Sequence, residues 1–545
     1  MVNTLLTTLN RAELLANYAG GFWRSETIYG RVHEHMTATP GKVAIRESMR
    51  VTTYAGLIAG ADALAGELAA AGLRPGDRVA VWLPSRAETA MAILACSRGG
   101  YVGCPSLHRQ HTSADVATLV DRMRAQAVIA EKGYGADRAT PGEEPTLTGS
   151  HRPRLVKLLH PAGAEAPHEG TPPTLDAPRT DPDTVVYLAF TSGTTGRPKG
   201  VMHSDNTLLA ATRAMAADWS IGSDSVVYSF SPMSHNLGFG AMLLALTEGG
   251  ELVVHDVPKG ASLASRLHET GATFAFGVPT HAMDLVAELR APGAPDVSAL
   301  RGFRISGASV PPHLATELMH LGIAPQTGFG MTEAGSHHYT RPQDPPERVS
   351  TTSGRPIAGY EVRIVSGQDP DLELGPGEMG QITGRGASLM LGYFGDQEAT
   401  EDAFTRSGWF LTGDLGFVDD EGYLHVTGRV KDVIIRGGHN IYPALIENLT
   451  TELVDVDKAA AVPVPDERLG ERVCLVVSSR DGSPLDKSRL LEHLRARGLS
   501  RFDMPEFFLQ LEDMPLTPSG KVLKRAVADA IADGHSLPEP VATRA

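Results

Sequence analysis

From residue 42 to about 129, short apolar runs alternate with longer stretches whose apolar positions recur at helical spacing. The pattern predicts strands at 43–46, 78–83 and 101–104 and helices at 54–71, 88–98 and 112–124, with Pro75 and Gly76 breaking the chain between them. Residues 138–182 lose periodicity and fill with Pro, Gly, Thr and charge, which predicts irregular surface chain with one strand at 155–158. Strands at 185–190, 226–232 and 303–306 and helices at 206–217 and 241–246 resume the alternation, and Pro311 and Pro312 open a further helix. After Gly359 short strands separated by Gly-rich turns take over, at 360–365, 381–383 and, after a hairpin turn at 419–422, 423–427. The C-terminal part alternates again: strands at 433–435, 459–463, 473–478 and 507–511, helices at 445–453 and 487–497, and a frayed tail at 534–545. The expected fold class is therefore α/β. A large N-terminal domain of layered α/β subdomains is completed by a β-rich subdomain and followed by a small α+β domain.

Composition narrows the partners. A chain of 545 residues is too long for one hydrophobic core. A net charge of -15 argues against nucleic acid or an anionic membrane as the main partner, so phosphate binding here has to be local. Cys96, Cys104 and Cys474 show no metal-ligand spacing, and an odd number of thiols fits a reducing compartment. The first residues lack a basic stretch followed by an apolar core, and no apolar run approaches the roughly 18 residues of a membrane span. A cytoplasmic protein is expected.

The chemistry is concentrated first in residues 188–204, LAFTSGTTGRPKGVMHS. Thr191, Ser192, Gly193, Thr194 and Thr195 cannot extend the preceding strand, so the chain leaves a sheet edge as a loop. Its backbone N–H groups, its hydroxyls and the Lys199 ammonium suit a polyphosphate. The spacing departs from a Walker A loop, with Arg197 and Pro198 where glycine belongs and Gly200 after the lysine. Later in the chain come Thr327-Gly328-Phe329-Gly330-Met331-Thr332-Glu333, then a run from Trp409 to Asp414. Gly428-Arg429 follows, leading through Arg436 to Pro443, and Thr517 to Lys521 comes last. Five such motifs in this order resemble the acyl-adenylate-forming superfamily, which includes acyl-CoA synthetases, aryl-acid AMP ligases, peptide-synthetase adenylation domains and beetle luciferases.

The resemblance implies roles. Gly307, Ala308 and Ser309 would leave room for adenine, Phe329 would stack on it, and Asp414 and Arg429 would reach the ribose. Thr332 and Glu333 would contact phosphate and Mg2+, hard-oxygen chemistry beside a triphosphate. His235, Asn236, Gly240, Gly307 and Gly328 would line the acid pocket, with Asn236 able to hydrogen-bond a ring hydroxyl, and His235 is carried among the catalytic residues. On residues alone several of these are ordinary features: Ser234 or Asn236 a helix cap, Phe329 a core side chain, Asp414 a turn residue, Lys521 an exposed lysine.

The same resemblance divides the chain into residues 1–430 and a mobile domain, residues 431–545, hinged at Lys431. Lys521 would bridge carboxylate and nucleotide during adenylation, and the Gly437-Gly438 loop would meet the pantetheine of CoA after the small domain swings. His439 and Leu445 depart from the family's usual glutamates on that face. The implied activity is ATP-dependent activation of a carboxylic acid, medium-chain, alicyclic or otherwise bulky and cyclic, with transfer to CoA. Two alternatives stay open: an aryl-acid or natural-product AMP ligase that stops at the adenylate or loads an acyl carrier protein, and a nucleotide-binding regulator without catalysis. Whether the protein is a homodimer is also open.

Overall fold

The computed structural model describes residues 6–137, 147, 149–161, 175–191, 198–258, 260–307, 310–517 and 522–541. Among these, the strands form four sheets. The widest has nine strands, in the order Arg355–Pro356, Gly335–Tyr339, Ala324–Met331, Gly302–Ile305, Phe274–Gly277, Val226–Ser229, Glu251–Val254, Val43–Arg46 and Val51–Thr53. The six from Ala324–Met331 to Val43–Arg46 are parallel. A six-stranded sheet runs Leu155–Leu159, Ala127–Glu131, Arg78–Trp82, Val102–Cys104, Val185–Thr191 and Lys199–Ser204, parallel except at the last pair.

Helices Tyr54–Ala70, Ala87–Gly99, Asp205–Trp219 and Asn236–Thr247 fill the space between the two sheets, packing Leu57, Ile93, Leu209 and Phe239 into one core. Leu263–Thr270, Pro279–Arg290 and Pro312–His320 cover the far face of the wide sheet through Leu267, Leu285 and Leu318. Parallel strands covered on both faces read as near-continuous apolar runs, which is why they were visible in the sequence. The helix Asn236–Thr247 is apolar all round because it is enclosed on all sides.

The β-rich part is an antiparallel meander of Tyr360–Val365, Gly380–Gly386, Phe410–Val418 and Leu424–Arg429 around Ile364, Ile382 and Leu424. The smaller C-terminal domain has its own sheet and its own core of Ile434, Leu475 and Leu490. Lys431 lies in the short turn of helix Val430–Asp432 between the two.

Two expectations are corrected here. The chain does not leave a sheet edge after Val185–Thr191, because Lys199–Ser204 returns antiparallel along that strand and takes the edge position itself. A six-residue run after a Gly-rich loop gave no alternation to announce it. The tail is not frayed as far as residue 541: Glu539–Pro540 pairs with Phe507–Gln510, and buried Val541 donates its N–H to the Glu506 carbonyl.

One buried carboxylate ties the layers together. Asp205 is fully buried, accepts from the Ile28 N–H at 2.9 Å and from Ser97 Oγ at 2.8 Å, and is paired with Arg179. Burial raises its carboxyl, and Arg179 opposes that. Removing the cation leaves a buried charge uncompensated, which costs about 3–5 kcal/mol. Arg179→Met is expected to lower the urea midpoint by a corresponding amount, followed by tryptophan fluorescence; an unchanged midpoint contradicts this role.

Candidate active site

An open parallel sheet leaves a crevice beyond the carboxyl ends of its strands. Three strands deliver residues to that crevice here. Val226–Ser229 leads to His235 and Asn236, Gly302–Ile305 to Gly307, and Ala324–Met331 to Thr332 and Glu333. The Asn236–Thr247 helix starts five residues earlier than expected, at Asn236. His235 is in the cap position with an extended backbone and no capping side-chain bond, so neither Ser234 nor Asn236 caps the helix. Instead, Asn236 donates from Nδ2 to the Met331 carbonyl at 3.3 Å. The His235 ring stacks on His108 at 4.2 Å, and His108 is held by Ser234 Oγ at 3.1 Å. Burial, then the neighbouring His235 and His111, lowers His108 to about 3, so His108 is neutral at physiological pH.

Residues 327–333, given no element from the sequence, are a strand as far as Met331, which then turns sharply into Gly335–Tyr339. Glu333 lies in that turn and is buried. Its carboxyl accepts from the Tyr393 hydroxyl at 3.0 Å, and its carbonyl accepts from the Met390 N–H at 2.7 Å. Lys199 lies over the opposite side of the arrangement, its Nζ 4.6 Å from the Tyr393 ring centroid. Burial pushes the Glu333 carboxyl up, Tyr393 and Lys199 pull it down, and the nearby Asp414 carboxylate adds to the rise. Glu333, Lys199 and Asp414 are therefore within electrostatic reach of one another.

Asp414 is inside the Phe410–Val418 strand rather than at a strand end; its register partner is Arg429, and their side chains are 3.1 Å apart. Phe329 is half-buried, with its ring edge 5.0 Å from His337. Gly307 has φ +95, a conformation that favours glycine at the end of its strand. Thr327 turns its hydroxyl into the fold, toward the Val349 and Thr352 carbonyls at 2.9 and 3.1 Å, so its side chain is not turned to the crevice. Gly330 packs against the Gly335 carbonyl, where a Cβ would clash. Gly437 and Gly438, with φ +57 and +85, make the two-residue turn between Ile434–Arg436 and His439–Ile441. His439 bonds Asp503 at 2.8 Å, and Leu445 is exposed. Thr191 pairs with Lys199 at the base of the loop. Ser192, Gly193, Thr194, Thr195, Ala308, Ser309 and Lys521 lie outside the described residues.

The structure adds residues that the sequence reading passed over. His203 is fully buried and reaches the Thr332 carbonyl from Nε2 at 2.8 Å, fixing the turn. Tyr393, between two apolar residues, gave no signal that it would hold Glu333. A crevice of about 50 Å³ continues from Asn236, Thr332 and Ser336 between the helices Asp205–Trp219 and Asn236–Thr247, where Leu208, Met215, Leu243 and Phe276 form its walls. Among the described residues no group of three or more His, Cys, Asp or Glu is arranged to hold a metal ion. A single buried carboxylate, Glu333, suits a hard cation that takes most of its oxygen ligands from a bound triphosphate. Among the described residues no helix is long and apolar enough to cross a membrane.

Comparison with known proteins agrees with this geometry. Residues 32–394 match the family described as AMP-binding enzyme, and residues 445–521 match the AMP-binding enzyme C-terminal domain. The chain is 34% identical over 490 residues to a feruloyl-CoA synthase of an Amycolatopsis species, covering 90% of this chain and 96% of that one. It is 30% identical over 530 residues to the medium-chain fatty-acid–CoA ligase of Escherichia coli strain K12, covering 95% and 92%. The crystal structure of ATP-bound MatB from Rhodopseudomonas palustris superposes with a TM-score of 0.81 at 26% identity, covering 94% of this chain and 99% of that one. The chain therefore belongs to the AMP-binding enzyme family, as an ATP-dependent, AMP-forming ligase of the acyl-CoA synthetase kind.

Proposed function

We propose that the protein activates a medium-chain, alicyclic or other bulky cyclic acid and transfers the acyl group to CoA. The observation that carries the acid class is the crevice between the two helices, lined by Asn236, Thr332 and Ser336 and walled by Leu208, Met215, Leu243 and Phe276, apolar side chains that suit a hydrocarbon body. The acid enters body first, with its carboxylate near His235 and Thr332. A carboxylate oxygen attacks the α-phosphorus of ATP, the bond to the bridging oxygen breaks, and pyrophosphate leaves. The thiol sulfur then attacks the acyl carbonyl, and AMP departs with the bond electrons.

Bringing one anion against a polyanion requires positive charge and fixed geometry. In this reading Lys199 attends the phosphates from beside Tyr393, and Asp414 accepts from the ribose hydroxyls with Arg429 beside it. Phe329 offers its face to the base. Glu333 would hold a magnesium ion, which would supply neutralising positive charge beside the triphosphate. Lys521 reaches the reacting carboxylate from the C-terminal domain, which turns about Lys431. Once adenylation is complete, the same turn brings Gly437 and Gly438 to the thiol's path, where bare backbone lies close to a thin ligand. The replacement of the usual glutamates by His439 and Leu445 supports a carrier protein as the alternative acceptor. Use of ATP and CoA fits a cytoplasmic enzyme.

Lys521→Ala is expected to slow acid-dependent ATP–pyrophosphate exchange at least about a hundredfold while ATP still binds. Unchanged exchange would refute its role. Tyr393→Phe frees the Glu333 carboxylate and is expected to raise the magnesium concentration for half-maximal exchange about tenfold; an unaltered titration removes Glu333 as the metal ligand. Mass spectrometry of products from an acid panel should show acyl-CoA when CoA is added. Acyl-AMP accumulating with CoA present, and consumed only when a carrier protein is supplied, favours the alternative acceptor.

A further inference from the structure

Behind the crevice lies a group of polar side chains that adenylation does not use. Arg304 is fully buried, and its Nε, Nη1 and Nη2 have no hydrogen-bond partner among the described residues. Gln326, its register neighbour on the next strand, is equally buried with both amide atoms unpartnered. His337 and His338 meet through their Nδ1 atoms at 2.7 Å and leave both Nε2 atoms without partners; the buried Tyr360 hydroxyl also lacks one. Buried polar groups are normally paired, so five unpartnered side chains in one place point to a missing occupant.

The charge of this group points the same way. Burial lowers the Arg304 guanidinium to about 10, which leaves it charged at neutral pH. Its neighbour His337 is held neutral, lowered to about 3 by burial and then by Arg304 itself. The Tyr339 ring faces the cation, with its centroid 5.6 Å from Cζ. Asp218 does not serve it, since its carboxylate is taken by Tyr339 Oη and by Arg341, each at 3.0 Å. A guanidinium in this setting presents a planar fork without its anion.

Three features connect the group to the acid crevice. Arg304 is the register partner of Phe276, which forms part of the crevice wall. Ser336 lines the crevice and is followed directly by His337 and His338. A Cβ built at Gly328, one of the residues expected in the acid pocket, would strike Arg304 Nη1, so the guanidinium packs directly against the bare backbone of that residue.

We infer that Arg304, with Gln326 and the His337–His338 pair, receives a second carboxylate at the far end of the substrate, so that the acid is dicarboxylic. This rests on the adenylation reading and adds to it the identity of the distal group. A neutral distal end would leave the cation unpaired and desolvated. A site built this way therefore discriminates by rejection as well as by attraction.

The test uses the full-length protein and acid-dependent pyrophosphate release with glutarate, adipate, pimelate and suberate, each beside its monomethyl ester. For the best-fitting length, kcat/KM for the diacid is expected to exceed that for its ester by at least about a hundredfold. In Arg304→Met that ratio should collapse toward unity, chiefly through KM. A wild-type protein that treats diacids and esters alike, or an Arg304→Met protein that keeps the preference, overturns the inference. If Arg304→Met does not fold, the thermal midpoint of the wild type decides: diacid should raise it and monoester should not, and equal shifts overturn the proposal. Pyrophosphate release with monocarboxylic acids but not with diacids would sink this inference and leave the adenylation reading standing. Release with no acid at all would sink both.

Discussion

Burying a carboxylate in the sharp turn that follows a central strand creates a problem that the surrounding fold has to solve. Glu333 is 8% exposed, and it is fixed from two directions at once. Its carbonyl is held by the Met390 N–H and its side chain by the Tyr393 hydroxyl, so the 386–394 segment grips both ends of one residue. Tyr393 also bridges to Val201 in the strand that follows the phosphate loop, and its ring carries Lys199. His203, two residues further along that strand, holds the Thr332 carbonyl. The phosphate-loop strand, the turn bearing Thr332 and Glu333, and the link to the β-rich meander are thus locked through three residues. A shift in any of them changes the position of the acid, the cation and the carboxylate together.

The layers themselves were legible because their physics is local. Short apolar strands alternating with helical periodicity identify parallel sheets, and strands such as Val43–Arg46 and helices such as Tyr54–Ala70 fall within a residue or so of where the pattern put them. What the pattern could not announce was pairing between neighbours separated by glycine. Lys199–Ser204 and Gly335–Tyr339 both return along the preceding strand, each on a segment that opens with or contains glycine, and neither alternates in sequence because both faces are covered. Asp414 shows the same limit in another form. Thr412 and Gly413 look like turn residues, and Gly413 does take φ +76 where the register with Gly380–Gly386 shifts, yet the strand continues because Asp414 pairs with Arg429.

The residues at the site divide by the distance over which their role is decided. Glycines and hydroxyls of the proposed phosphate loop, the Thr332-Glu333 pair and the Asp414 motif can be found by order along the chain, because the nucleotide proposed to meet them is shared by the whole family. Tyr393 and His203 cannot be found that way: each acts by a single hydrogen bond across 60 and 129 positions of sequence, and nothing near it in the chain marks the contact. Thr327 is the converse case. It belongs to a recognisable motif, but its hydroxyl is spent on the Val349 and Thr352 carbonyls and so braces the strand instead of facing the crevice.

The acid end follows a different logic from the nucleotide end. ATP brings its own charge, so the protein can meet it with a few cations and with backbone; the carbon skeleton of an acid brings little except shape and whatever it carries at its far end. The helices Asp205–Trp219 and Asn236–Thr247 supply the shape, since the crevice between them is walled by aliphatic and aromatic side chains from both. In such a wall a lone guanidinium is costly to keep, because a charge taken out of water is compensated only by a partner. Arg304 is fixed by its strand, flanked by Phe276 on one side and Gln326 on the other, and cannot swing out to solvent as a surface arginine does. The free protein therefore bears that cost in advance, and an anion arriving at the base of the crevice recovers it. This makes the resting strain of the pocket and its selectivity two aspects of the same unpaired charge.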